Sequence, residues 1–266
     1  MNPSPQTPPA SETVPPHAPL NRYYDDDAKR SRYVIDLFNQ TAQHYNTIEG
    51  LFLNGGLLYR RLSLQYAGLR PGMQVLDVAI GTAAVARGAA RIVGPTGRVF
   101  GVDPSIGMLG QARRNFKGPL TRGVAESLPF VSDRFDFVTM GIALRHVSDL
   151  VATFREYLRV LRPGGKLWIL EGHVPRSALG HKLTRFVWAR VIPGMTLLST
   201  RSREAKLLMD YYWDTVEQCV PPESILAAMQ EAGFEQTRFR VAVPGAFCEY
   251  TGVKRTRASG GGAASA

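Results

Sequence analysis

The chain has 266 residues, 44% of them hydrophobic, and a formal net charge of +10, so it can bury one sizeable core and carries enough positive charge to require locating it. No run approaches the roughly 18 apolar residues needed to cross a bilayer, which excludes an integral membrane helix. The two cysteines, Cys219 and Cys248, sit at neither metal-ligand nor redox spacing. They read as small apolar residues, and no metal is expected.

Residues 1–28 open with a Pro/Ser/Thr-rich stretch that has neither a basic start nor an apolar run. This predicts a disordered leader rather than a signal peptide, and so a cytoplasmic protein. Arg30 to Ile48 then carries Val34, Phe38, Ala42 and Tyr45 on one stripe of helical period, which predicts an amphipathic helix. Asn54-Gly55-Gly56 breaks it, and Leu57 to Ala67 predicts a second helix ended by Gly68 and the Arg70-Pro71-Gly72 turn.

Gln74 to Asp103 reads as strand, tight turn, helix, strand: Val75-Leu76 ends in Asp77, a small-residue turn contains Gly81 and Thr82, and the second strand ends in Asp103. A backbone that passes close beneath a nucleoside needs small residues there, and a carboxylate at the strand end can accept hydrogen bonds from ribose hydroxyls. Ser105 predicts a cap for a helix burying Met108, Leu109, Ala112 and Phe116. A weakly marked strand at Leu120 to Val124 and a buried one at Phe135 to Met140 follow, and Ser148 or Asp149 caps a helix carrying Val151, Phe154, Leu158 and Leu161.

That helix is expected to stop at Arg162-Pro163-Gly164-Gly165, before a strand from Lys166 to Glu171. Pro222 fits the first turn of a helix closing at Gly233, and Glu235 to Val243 with Ala246 to Val253 predicts a hairpin around Pro244-Gly245. Strands alternating with helices and closing in a hairpin predict an α/β fold: a doubly wound, mostly parallel sheet with an antiparallel C-terminal edge.

Asp77-Val-Ala-Ile-Gly-Thr82, Val102-Asp103, Ala125-Glu-Ser-Leu-Pro-Phe130, Arg134-Phe-Asp136, Ala143-Leu-Arg-His-Val147 and Leu158-Arg-Val-Leu-Arg-Pro-Gly-Gly-Lys166 resemble, in order and spacing, the class I S-adenosylmethionine-dependent methyltransferases. The resemblance is greatest to the C-methyltransferases of ubiquinone and menaquinone biosynthesis and covers about Tyr33 to Lys254. It implies a seven-stranded Rossmann-like sheet within a methyltransferase domain at 29–255 and a helical lid at about 174–215, while the Gly/Ala/Ser composition of the end predicts a flexible tail at 256–266. It implies S-adenosylmethionine as cofactor, with Asp77, Gly81 and Thr82 at its methionine end, Asp103 on the ribose, Val124 and Ala125 at the adenine, and Gly141 beside it. Tyr45 is expected either to close over the cofactor or to be core.

Several positions depart from the family's usual residues. Ile80 and Ala83 stand where glycine is usual, Val124 where Asn or Asp is, Gly141 where Ser often is, and His146 where Asn is. An added Cβ in the turn narrows the approach to the cofactor and disfavours positive φ. A relative that has lost methyl transfer and supports a biosynthetic complex is therefore the alternative reading.

For carbon methylation of a quinone-like or other aromatic acceptor, His146 is the candidate base or proton relay and Arg145 the candidate phenolate stabiliser. The bland alternatives are that His146 caps the following helix and Arg145 forms a structural ion pair. Glu171 reads equally as a ligand-edge residue or a buried structural partner.

Between Pro175 and Leu207 the chain holds Arg176, Lys182, Arg185, Arg190, Arg201, Arg203 and Lys206 against Glu204 alone. Interleaved with Leu183, Phe186, Val187, Trp188, Val191 and Ile192, these residues suit peripheral contact with an anionic membrane, with a solvated basic face as the alternative. No aromatic-basic motif points to nucleic acid, and a homodimer is left open. An NAD-dependent dehydrogenase shares the strand-to-acid geometry but requires a G-x-G-x-x-G turn that is missing here.

Overall fold

The computed structural model describes residues 13–53 and 56–256. Seven strands form one sheet in the order β3-β2-β1-β4-β5-β7-β6. β1 (Gln74–Val78), β2 (Arg98–Asp103), β3 (Leu120–Arg122), β4 (Phe135–Gly141) and β5 (Leu161–Gly172) are parallel, and β6 (Phe234–Val243) and β7 (Phe247–Lys254) close the sheet antiparallel. The expected doubly wound architecture is present. The order of strand addition reverses between β1 and β4, the place where such sheets open a ligand crevice at their carboxyl edge.

The central strands are apolar on both faces because helices cover both. α2 (Gly56–Tyr66), α3 (Ala84–Val93) and α4 (Ile106–Asn115) lie on one face, where Leu64, Ile92, Ala112 and Trp168 share a core. α5 (Leu150–Val160) and α9 (Pro222–Ala232) lie on the other, with Phe154, Tyr157, Ile225 and Met229. α1 (Asp27–Leu53) packs with α7 (Ile192–Thr200) and α8 (Arg203–Glu217) in a third cluster built on Val34, Leu37, Ile192 and Leu208. α6 (Ala178–Phe186) and a π-helical turn at Val187–Val191 complete the expected helical segment between β5 and α9.

Caps fall where the side chains allow them. Ser105 accepts from the Met108 amide, and Asp149, rather than Ser148, caps α5 by accepting from Val151 and Ala152. Two local expectations are corrected. Arg162-Pro-Gly-Gly is not a separate turn but a bulge within β5: Phe135 faces Leu161 while Phe137 faces Lys166, and Gly164 takes φ 78°. β3 stops at Arg122, and Val124 forms an isolated bridge with Ser127 instead.

The disordered leader expected through residue 28 is corrected over its described part. Residues 13–26 form a strap against the domain: the Val14 carbonyl accepts from the Leu150 amide at 2.9 Å, the Pro16 carbonyl accepts from the Val220 amide at 2.8 Å, and His17 and Tyr24 are buried. Proline has no N–H to satisfy, so a Pro-rich strap can offer carbonyls to helix starts and loops without needing partners of its own. Residues 1–12, residues 54–55 of the expected break and most of the expected tail lie outside the described residues.

The turn after β1 shows why glycine is not needed where Ile80 stands. The Ile80 amide donates to the Val102 carbonyl at 3.0 Å, extending the ladder by one residue, and its side chain is buried over Gly101. The strain falls on Ala79 (φ 53°) and Ala83 (φ 70°), which share the left-handed region with Gly81 (φ 55°). Each alanine there costs roughly 1–2 kcal/mol. A Cβ added at Gly101 would lie 2.2 Å from Ile80 Cδ1 and 2.9 Å from Leu120 Cδ2. Gly101→Ala is therefore expected to destabilise the fold by about 1–3 kcal/mol in urea unfolding, and Ile80→Val, which removes the clashing methyl, should recover part of it. Equal losses in the single and double variants would contradict this packing.

Candidate active site

A cleft opens at the carboxyl ends of β1, β2 and β4 beneath α1. Tyr45, Asp77, Gly81, Thr82, Asp103, Val124, Ala125, Gly141 and His146 all line it; Arg145 does not. Residues far apart in the chain meet here because parallel strands bring their carboxyl ends to one edge.

Asp103 is 5% exposed. One carboxylate oxygen accepts from the Gly81 amide at 2.9 Å and the other from the Ser105 amide at 2.8 Å. Burial pushes its pKa up to about 6, against those two amides, which favour the charged form. Asp77 accepts from the Thr139 hydroxyl at 2.7 Å through one oxygen, while the other is buried with no full hydrogen bond, the Ala86 amide being near enough only to favour the charged form. Its burial raises the pKa to about 7. Both carboxylates are held at the edge of ionisation, so a cationic or hydroxyl-bearing ligand would favour the charged form.

α3 begins at this cleft with Ala83 as its cap residue, which offers no side-chain acceptor. The positive end of its dipole faces the cleft, and its Ala86 amide favours the charged form of Asp77. The Thr82 hydroxyl donates to Glu49 Oε2 at 2.8 Å, and Glu49 Oε1 accepts from Arg60 at 2.9 Å. A Cβ at Gly141 would sit 2.8 Å from Val85 Cγ2. In this chain a Cβ there would force the Val85 side chain to shift, which fits a glycine at this position.

His146 ends a 3₁₀ turn, Leu144–His146, after β4. It does not cap α5, since Asp149 does. Its ring stacks on Tyr211 at 5.5 Å and meets Phe38 edge-on at 5.4 Å, and both ring nitrogens are buried without a partner. Burial first, then the Arg145, Arg30 and His17 charges, hold its pKa well below the usual imidazole range, so the ring is neutral at pH 7.

Arg145 takes the structural alternative. It is 2% exposed, pairs with Glu171 at 2.5 Å, donates to the Thr215 hydroxyl and the Ile142 carbonyl, and lies 4.3 Å from the centre of the Tyr212 ring. Its polar atoms are spent inside the protein. Arg30 in turn donates to the Arg145 and Val147 carbonyls at 3.1 and 2.5 Å, bracketing the turn that carries His146. Glu49, Arg60 and Phe38, which line the cleft, were not legible as site residues, because they sit on the helices that roof it and carry no strand-end signature.

Among the described residues no group of His, Cys, Asp and Glu is arranged to hold a metal ion, and no helix is long and apolar enough to cross a membrane.

The model of the ubiE/COQ5 methyltransferase family matches residues 26–254. The chain belongs to that family. It is 31% identical over 234 residues to the ubiquinone/menaquinone biosynthesis C-methyltransferase of Shewanella halifaxensis, covering 85% of this chain and 92% of that one. It is 32% identical over 240 residues to the protein of the same name from Pseudomonas aeruginosa, covering 86% and 91%. Among solved structures, a SAM-dependent methyltransferase from Thermotoga maritima superposes with a TM-score of 0.57 at 21% identity, covering 83% of this chain and 99% of the other, and so shares the fold. The protein is an S-adenosylmethionine-dependent methyltransferase. The reading of a family member without catalysis finds no support.

The cleft fits that cofactor. It offers a carboxylate oxygen without a full hydrogen bond on Asp77, an uncapped helix start at Ala83 and a strand-end carboxylate on Asp103.

Proposed function

We propose that the protein transfers the methyl group to a ring carbon of a hydroquinone-like aromatic acceptor. The relatives named above are called C-methyltransferases of ubiquinone and menaquinone biosynthesis, and Val34, Ile35, Phe38, Ile142 and Val147 give the cleft an apolar flank suited to a ring and its tail. The observation that carries the reading is His146: a neutral imidazole in the cleft wall whose buried nitrogens bond to nothing in the protein.

The cofactor supplies an electrophilic methyl on sulfur, which is displaced in line by a positioned nucleophile. Asp77, Gly81 and Thr82 hold the methionine end, Asp103 the ribose, Val124 and Ala125 flank the adenine, and Gly141 leaves room beside the cofactor. Tyr45, at the cleft roof with its phenol pushed up to about 12 by burial, closes over it as a neutral hydroxyl. His146 accepts a hydrogen bond from the acceptor's phenol and passes the proton on as a relay rather than holding it, since its imidazolium is disfavoured, which raises electron density on the ring carbon. The Arg145 and Arg30 charges that disfavour an imidazolium favour the resulting phenolate, so Arg145 contributes through its field without touching the ring. As the carbon–carbon bond forms, the methyl–sulfur bond breaks and the thioether would leave as S-adenosylhomocysteine; release of the ring proton to solvent then restores aromaticity.

The lid favours an acceptor delivered from a membrane surface. Leu179, Leu183, Phe186, Val187 and Leu198 are exposed, with Leu198 at 81%, and Lys182, Arg185 and Arg190 stand among them. An exposed apolar stripe beside cations matches an anionic interface.

One assay tests these steps. The purified chain should add one methyl to carbon of a hydroquinone, read by mass spectrometry, and faster for a prenylated acceptor on anionic than on neutral vesicles. His146→Ala should lower kcat by about 10²–10⁴-fold while leaving S-adenosylhomocysteine affinity unchanged. No methyl gain on any hydroquinone would overturn the acceptor class, wild-type kcat in the variant the role of His146, and indifference to lipid charge the membrane reading.

A further inference from the structure

The methionine end of the cleft holds two buried, opposite charges that the protein itself satisfies only in part. Asp77, 1% exposed, has a carboxylate oxygen without a full hydrogen bond. Arg60, 4% exposed, reaches the same cleft from α2; one terminal nitrogen donates to Glu49 at 2.9 Å, and its buried Nε–H bonds to nothing. Arg60 is close enough for its charge to favour ionisation of Asp77. A buried donor and a buried acceptor left open in one cleft are the complement of a zwitterion, which would satisfy both.

Glu49 fixes the arrangement. Its two oxygens bridge Arg60 and the Thr82 hydroxyl, so the guanidinium is tied to the turn that opens α3. The Glu49 side chain is 12% exposed and the Arg60 side chain 4%, so the pair is shielded from solvent and rigid enough to aim the remaining donor. The positive end of the α3 dipole faces the same cleft and also favours an anion there.

We propose that Arg60 is a cofactor-binding residue that takes the α-carboxylate of the methionine moiety, with Glu49 as the positioning residue that holds it against Thr82, while Asp77 takes the ammonium. The proposal rests on the reading that S-adenosylmethionine lies in this cleft with its amino-acid end at Asp77. It assigns the amino-acid end to a contact between the turn after β1 and the helices α1 and α2. Cofactor affinity is thereby linked to the packing of those two helices.

Two ligands separate the proposal from that reading. S-adenosylhomocysteine carries the amino-acid end; 5′-methylthioadenosine keeps the adenosine and the thioether and lacks the amino-acid end. Calorimetry on the full chain should show Arg60→Met weakening S-adenosylhomocysteine binding at least about tenfold while methylthioadenosine binds within twofold of wild type. Unchanged methylthioadenosine binding also reports an intact cleft. Arg60→Lys, which keeps a charge without the fork, should show the same selective loss at smaller size, and it carries the test if Arg60→Met does not fold. An equal loss for both ligands, or no loss for S-adenosylhomocysteine, would overturn the role of Arg60. Failure of the unmodified chain to bind either ligand would instead overturn the cofactor placement itself.

Discussion

Asp103→Ala should weaken S-adenosylhomocysteine binding by a hundredfold or more. The substitution removes the acceptor proposed for the ribose hydroxyls, each charge-assisted bond being worth about 1.5–3 kcal/mol, and it strands the Gly81 and Ser105 amides that now bond to the carboxylate. The same carboxylate predicts a pH dependence. With its pKa near 6, Asp103 accepts fully only above that value, so affinity should already ease between pH 8 and 7, where Asp77 begins to protonate, and fall further below about pH 6. Asp77, near 7, acts with the same sign for an ammonium. Fold stability moves the other way: folded pKa values above the roughly 3.9 of an unfolded Asp mean that the folded chain retains protons that the unfolded chain releases. These two groups therefore favour the folded state below about pH 4, and the ligand-free protein loses that contribution as pH rises toward 7. Calorimetry and thermal unfolding between pH 4.5 and 8 check both signs. Affinity unchanged down to pH 5 would remove Asp103 from the binding contact.

Glu171→Ala should cost about 3–5 kcal/mol of stability, because it leaves the Arg145 guanidinium buried without its counter-charge. Replacing the pair together, as Arg145→Met with Glu171→Leu, should cost less than Glu171→Ala alone, since apolar side chains of similar size carry no desolvation penalty. Urea unfolding of the three variants measures the difference. Activity in the double variant separates the two readings of Arg145. A kcat reduced only modestly fits a charge acting from behind His146, whereas a stable protein that has lost activity altogether would show that Arg145 touches the acceptor.

Much of the sheet and half of the cleft were legible from local pattern. β1 ending in Asp77, the small-residue turn at Gly81-Thr82 and β2 ending in Asp103 are read from neighbouring residues, because the demands of a strand end and a close backbone approach fall on the residues at that spot. The hairpin, the α9 boundaries and the Ser105 cap were readable for the same reason. Ile80 was misjudged as an obstruction, since the sequence does not say on which side of the turn its side chain packs; the space above Gly101 decides it. The Pro-rich strap was misjudged from composition, because two carbonyls placed against Leu150 and Val220 leave no trace in composition.

By itself, then, the chain's pattern of apolar runs, small turns and strand-end carboxylates determined the doubly wound sheet and the positions of Asp77, Gly81, Thr82 and Asp103, because each depends on a few consecutive residues. Only the tertiary structure decided that Arg145 turns inward to Glu171, that His146 faces the cleft with its nitrogens open, and that Glu49, from the roof, joins Arg60 to Thr82. Those outcomes depend on burial and on partners tens of residues away, and the desolvation that makes such pairs matter exists only once the helices have packed over the sheet.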